Sequence, residues 1–196
     1  MSDDPQPTGY SPDLTLREAR TDYFARNGFG EGGYEDRWVR LQAGPLVFFI
    51  PNTAGRVRAV RYHDLHHVLT EYPTTWTGEA EIGAWEVASG CADHYAAWFL
   101  NLSAMAVGLV IAPARTYEAF ARGHGTRNLY REPFGDELLA ARVGETRARL
   151  GLDRPAHGDH ALSFALWSVA AISTWLVPFL GGLAVLAGLV WLWRGA

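Results

Sequence analysis

The sequence predicts a mainly α-helical protein with a small N-terminal β-hairpin and a C-terminal membrane-embedded helical hairpin. Three observations predict it. Apolar residues recur every three to four positions in several segments that end at Gly or Pro. Residues 38–51 carry two β-prone runs, enough for a small hairpin. Residues 161–193 hold 33 positions without a single charge, well beyond the ~18–20 that a spanning helix needs.

Taken in order, "MSDDPQPTGYSPDL" is polar and Pro-rich and lacks the basic and apolar regions of a signal peptide. Residues 1–15 are therefore expected to be a disordered leader, followed by a helical domain over 16–160. "LREARTDYFARNGFG" (16–30) predicts a short helix stopped at Asn27-Gly28 and Gly30. "WVRLQAGPLVFFIP" (38–51) offers two β-prone runs around Ala43-Gly44-Pro45. Residues 52–72 predict a helix with Asn52 as N-cap and Pro73 as stop. A loop, "PTTWTG", leads to a helix near 78–90, capped by Thr75 or Thr77 and ended by Gly90. Glu79, Gly83, Glu86 and Gly90 share one face of it, with room for a bound group. Residues 91–112 predict a core helix lining an apolar cavity. A mixed helix after Pro113 and an amphipathic, solvent-facing helix over 135–152 complete the domain.

The last segment, 161–193, is the expected membrane anchor. As one helix it would reach ~50 Å against a hydrocarbon core of ~30 Å. Pro178, Gly181 and Gly182 sit at its midpoint, where a turn would fit. Arg149 and Arg154 precede it and Arg194 follows. Arginine on the cytoplasmic side of both ends requires an even number of crossings. A short hairpin is the expectation, with one kinked span and a buried hairpin of a soluble fold as the alternatives. Trp167, Trp175, Trp191 and Trp193 suit a lipid–water interface.

Composition bounds the function. Net charge is −4, which argues against a broad nucleic-acid-binding face. All 17 basic residues are Arg, and Ala, Gly and Arg are abundant, as in a GC-rich bacterial genome. Cys91 stands alone, so there is neither a disulfide framework nor a paired-cysteine zinc site, and a cytoplasm-facing location is expected.

The motif that carries chemistry is "HDLHHVLTEYPTTWTGE" (63–79), which holds three of the seven histidines. His63 and His67 are i,i+4 neighbours on one helical face and can converge on one divalent ion. Asp64 could ligate or could orient a histidine. Glu79, carried by the next helix, could add a carboxylate from the opposite side. Val57, Val60, Asp64 and His67 share a stripe, so the core-facing stripe runs into the histidines, and buried polar groups need partners. The alternative is a solvated helix end. His63, His66 and His67 also spell H-x-x-H-H, a pattern like one box of the membrane di-iron hydroxylases and desaturases.

The spacing also resembles a known family. His63-Asp64-x-x-His67, then Val68 through Gly78, then Glu79, is similar to the H-D-x-x-H, eleven residues, E motif of the coenzyme Q biosynthesis Coq-four family. "RYHDLHHVLTEYPTTWTGEAEIGAWEVASG" resembles that family closely, and "ARGHGTRNLYREPFGDELLAARVGETRARLGL" more weakly, so the likeness spans about 52–152. Three features depart from it: the extra His66, the first 50 residues and the charge-free C-terminus.

The resemblance implies a helical, metal-binding protein of ubiquinone (prenylquinone) biosynthesis at a membrane. It implies Zn2+ or another divalent metal on His63, Asp64, His67 and Glu79. It implies a polyprenylated quinone precursor as ligand, other quinone-biosynthesis proteins as partners and a homo-oligomer. The metal domain would face the cytoplasm at a bacterial inner membrane. As an enzyme, the protein would decarboxylate a prenylated hydroxybenzoate ring, with Asp64 or Glu86 managing the proton. As a non-catalytic lipid-binding scaffold, the same metal would clamp two helices. Arg56 and Arg61 are candidates for binding a substrate carboxylate or phosphate, against solvated charge or pairing with Glu71 or Asp64. Glu86 is a candidate acceptor or base, against an exposed carboxylate. His94 and Cys91 read as core residues.

Overall fold

A computed structural model describes residues 9–43, 46–155 and 158–195. It has eight helices and one antiparallel hairpin among those residues: α1 Leu16–Asn27, β1 Trp38–Ala43, β2 Leu46–Pro51, α2 Ala54–Thr70, α3 Trp76–Ser89, α4 Tyr95–Ile111, α5 Pro113–His124, α6 Asp136–Ala140, α7 Val143–Leu150 and α8 Ala161–Gly195.

Local chemistry sets most boundaries. Thr15 caps α1 in a reciprocal box with Glu18, and Gly28 in the left-handed region ends it. Thr75 caps α3. The cap of α2 is Thr53, one residue beyond the expected Asn52. The Asn52 side chain bonds elsewhere. Its Nδ2 donates to the carbonyls of Gly33 and Asp36, and its Oδ1 accepts from Arg56. It ties the returning hairpin to α2. β1 and β2 pair from Trp38↔Pro51 to Ala43↔Leu46; the expected turn at Gly44-Pro45 lies outside the described residues.

α3 is the centre of the core, packed between α4 and α5, and its Ile82 and Trp85 are fully buried. Leu65 and Leu69 of α2, Met105 of α4 and Phe120 of α5 close around it. At Gly83 a Cβ would stand 2.9 Å from the Asn101 carbonyl oxygen and from the Ala104 side chain. The missing side chain therefore lets α4 approach, so around Gly83 the face expected to hold a bound group is filled by protein, while Glu79 at its start still borders a cavity.

Three expectations are corrected. The leader is shorter than 1–15: Tyr10 is buried, and Leu14 and Leu16 bond the backbone of Val143 and Ala141; residues 1–8 lie outside the described residues. The same backbone bonds break the helix expected over 135–152 into α6 and α7. Both pieces keep the expected amphipathic character: Leu138, Leu139, Val143 and Leu150 are buried, while Asp136, Glu137, Glu145 and Arg149 are exposed. Finally, the C-terminal segment is one continuous helix through Pro178, not a hairpin. Around Pro178 and Gly181-Gly182, residues 176–190 carry no polar side chain to satisfy the backbone groups that a turn would free, whereas continuing the helix keeps them bonded.

The N-terminal half of α8 packs on the body: Trp167 stacks on Trp98 of α4 at 5.2 Å, and Phe164 meets Phe120 and Tyr117 of α5. Beyond Ala171 the described side chains are largely exposed. Residues Ala161–Trp191 are long and apolar enough to cross a membrane, with only 6% of the most apolar window buried.

Candidate metal centre

α2 and α3 build the site across a short loop. His63 and His67 stand one turn apart on α2, and Glu79 lies in the first turn of α3. Gly78 makes the approach possible, since a Cβ there would fall 1.9 Å from the Pro73 carbonyl oxygen. Potential ligand atoms of His63, His67 and Glu79 all lie within 4.8 Å of one another, the one such group of three among the described residues. The two Nε2 atoms are 3.2 Å apart, and each is 3.4 Å from a Glu79 oxygen.

The outer nitrogens of both rings are committed. His67 Nδ1 donates to the Tyr72 carbonyl at 2.8 Å, brought within reach by Glu71 in the left-handed region at φ 65°. His63 Nδ1 donates to Glu86 Oε1 at 2.9 Å. Both Nε2 atoms are thereby left as lone pairs facing each other. Two such lone pairs repel unless a proton or a cation lies between them. Tyr23 stacks on the His67 ring at 5.5 Å and holds its plane.

Charge follows the same geometry. Burial disfavours the cationic form of His63, yet Glu86 and Glu79 outweigh it and raise its pKa well above 6.5. Burial also opposes ionisation of Glu79 and Glu86, but the facing histidines hold both carboxyls well below the usual range. Without a cation, these shifts favour a proton on His63, between the two carboxylates. Two imidazole nitrogens and a carboxylate are a suitable donor set for Zn2+ or a similar divalent ion, with a coordination position left for water or ligand.

Three sequence-derived residues change role. Asp64 is outside the convergent group: its Oδ2 accepts from the Tyr34 hydroxyl at 2.5 Å, and burial pushes its pKa up. Glu86 is sealed, without exposure, and accepts from His63, His66, Tyr130 and Asn101. With four donors filling its acceptor positions, it orients His63 and is not placed to exchange a proton with a ligand. His66, the extra histidine, turns the other way: Nδ1 donates to Glu86 at 2.8 Å, and Nε2 accepts from the Leu129 backbone at 3.0 Å. The H-x-x-H-H pattern therefore does not gather on one ion. His94 is a core residue bonded to the Tyr130 carbonyl.

Tyr34, Asn101 and Tyr130 were not singled out from sequence. Asn101 had a signal, since it interrupts an apolar helix and so needs a buried partner. The two tyrosines had none.

The site opens onto a cavity of about 510 Å³. His63, Asp64, His67 and Glu79 line one part of it, and Phe29, Trp38, Val39, Leu100 and Ala104 supply apolar lining. Arg56 also lines it, with a buried Nε that has no hydrogen-bond partner. Burial lowers its pKa, and the nearby Asp64 carboxylate opposes that shift. Arg61 is separated from it, lying in a second pocket beside Tyr34. The chain matches no family model, no curated protein and no solved structure.

Proposed function

We propose that the protein is a membrane-anchored, metal-dependent protein of prenylquinone biosynthesis that binds a polyprenylated aromatic acid beside the His63–His67–Glu79 centre. The observation that carries the metal is the pair of Nε2 lone pairs 3.2 Å apart, with both Nδ1–H groups already bonded. The sequence resemblance to the Coq-four family supports the class of ligand. The lining of the cavity supports it too: apolar walls suit an isoprenoid tail, and the orphaned Arg56 Nε suits a ring carboxylate.

A bound divalent cation would supply Lewis acidity toward a ring oxygen. The chain's residues do the rest. His63 and His67 are held in fixed tautomers by Glu86 and Tyr72. Arg56 would orient the carboxylate. Asp64, bonded to Tyr34 and bordering the cavity, is placed to hold a proton. Trp38 lines the cavity yet is 54% exposed, so it marks a side from which an apolar tail could enter. Arg142, Arg147, Arg149 and Arg154 precede α8, and Arg194 follows, which favours the metal domain on the cytoplasmic side of a single crossing.

The full chain, metal-loaded in lipid nanodiscs, is to be incubated with a prenylated 4-hydroxybenzoate-type acid in air and under anaerobic conditions. The expected result is a decarboxylated ring that His67→Ala abolishes. Binding without product under either condition would replace the enzyme reading with the scaffold, in which the metal clamps α2 to α3.

A further inference from the structure

A second pocket, of about 460 Å³, lies beside Tyr34 and Asn52 and is also lined by Arg58, Arg61, Tyr62 and Phe134. It shares a wall with the metal cavity. The Tyr34 ring lies under Arg61, while its hydroxyl bonds Asp64 on the cavity side. Asn52 likewise borders this pocket and holds Arg56, which borders the other.

The cations here are arranged unusually. The Arg61 guanidinium sits 5.3 Å from the Tyr34 ring centroid and 5.7 Å from that of Phe134. Arg20 reaches the same Phe134 ring at 5.9 Å and Phe24 at 5.8 Å. Among the described residues neither has a carboxylate within ion-pair distance, whereas Arg17, Arg26, Arg58, Arg115, Arg147 and Arg149 all do. Aromatic faces hold a guanidinium's plane but leave its N–H edge unused. Arg58 at the rim pairs with Asp93 at 2.8 Å, but both side chains are more than half exposed, so that pair is weak and open to exchange. Glu132, whose carbonyl takes the Tyr62 hydroxyl, has its own carboxylate occupied by Arg149. Two arginines, Arg58 and Arg61, thus line the pocket, and Arg20 lies against the Phe134 ring, with the exposed Asp93 as the one carboxylate paired to any of the three.

We infer that this pocket is a second ligand site, separate from the metal cavity, for a phosphomonoester carried on a flat apolar body. The cationic excess matches a dianion better than a single carboxylate, and Tyr62 and Phe134, edge to face at 5.3 Å, supply walls for an aromatic or unsaturated group. The phosphate could belong to a soluble ester or to a membrane lipid headgroup, and the test separates them.

Phenyl phosphate is the probe, titrated calorimetrically into the full chain in phosphatidylcholine nanodiscs. Saturable binding is expected, weakened by at least about tenfold in Arg61→Gln, as when a bidentate charge-assisted contact is lost. Arg61→Lys should restore it only in part, since an ammonium lacks the planar fork. His67→Ala should leave it unchanged, so this site stands or falls independently of the metal reading. Unaltered melting of the Arg61 variants shows that they fold. Weaker phenyl phosphate binding in nanodiscs containing phosphatidic acid identifies a lipid headgroup as the occupant, and unchanged binding a soluble ester. Absence of saturation at millimolar phenyl phosphate, or indifference to Arg61→Gln, overturns the site.

Discussion

The packing around α3 and the outer half of α8 are both apolar, yet they end in opposite environments. Around α3, the buried polar side chains draw their partners from within the fold: Glu86 alone collects four. Along α8, Leu176, Phe179, Leu183, Leu186 and Trp193 are exposed and find no cover within the described residues. The first region is stabilised by internal contacts that can be deleted one at a time. The second is long and apolar enough to cross a membrane and makes few contacts with the rest of the fold, so its removal should hardly disturb that fold.

The sharpest way to break this contrast is to remove the exposed half of α8. Ending the chain after Ile172 keeps the contacts of Phe164, Trp167 and Ala171. The shortened protein should move almost wholly from the floating membrane fraction to the supernatant in a sucrose gradient, while still binding metal one to one. Loss of metal together with membrane would mean that the two regions are coupled.

Glu86→Gln should have the next largest effect, and on folding. It removes a buried anion from four donors and leaves at least one of them unpaired, a cost of about 3 kcal/mol. Urea unfolding of the metal-free protein measures it. A loss below about 1 kcal/mol would show that Glu86 is not the anchor of the network.

Glu79→Gln should invert the pattern. Its side chain is 35% exposed and faces the cavity, so stability should change little. Zn2+ affinity should fall by roughly 10–100-fold, because the amide keeps the shape but loses the charge. Competition with a chromogenic chelator gives the number. If Glu86→Gln weakened zinc more than Glu79→Gln, the assignment of inner and outer carboxylates would be reversed.

The smallest effect is on pH dependence. Glu79 and Glu86 have lowered pKa values in the fold, so their contribution is present above the unfolded carboxylate pKa and is lost as pH falls through the folded values. His63 has a raised pKa, so its contribution is complete below about 6.5 and is lost as pH rises through the folded value. Chelated protein should therefore be most stable in mildly acidic solution. Zn2+ should displace the His63 proton, release it to buffer and extend stability to higher pH. Buffers of different ionisation enthalpy in calorimetry detect that proton, and a release of none would show that the chelated site holds no proton between its Nε2 atoms.

Much of this was legible in the chain. Helical spacing, Gly and Pro stops, and the run of uncharged residues were sufficient for the helical class, the hairpin at 38–51 and the apolar, helical character of the C-terminus, because each is encoded within one segment, though not for its being one continuous helix. The i,i+4 pair of His63 and His67 and the recurrence of Glu79 on the next helix were likewise local facts. What the sequence could not decide was direction. His66 lies three residues from His63 and one from His67, yet only packing against Leu129 and Glu86 turns it inward. Asp64 is drawn toward Tyr34, 30 residues away, and Glu86 is sealed by Asn101 and Tyr130 from two other parts of the chain. Arg56 and Arg61 were alike in sequence and are parted by the wall that Tyr34 and Asn52 build. Sequence by itself determined which residue types recur on which helix. The tertiary structure decided which polar groups meet, since a buried donor goes wherever a distant acceptor is brought within about 3 Å.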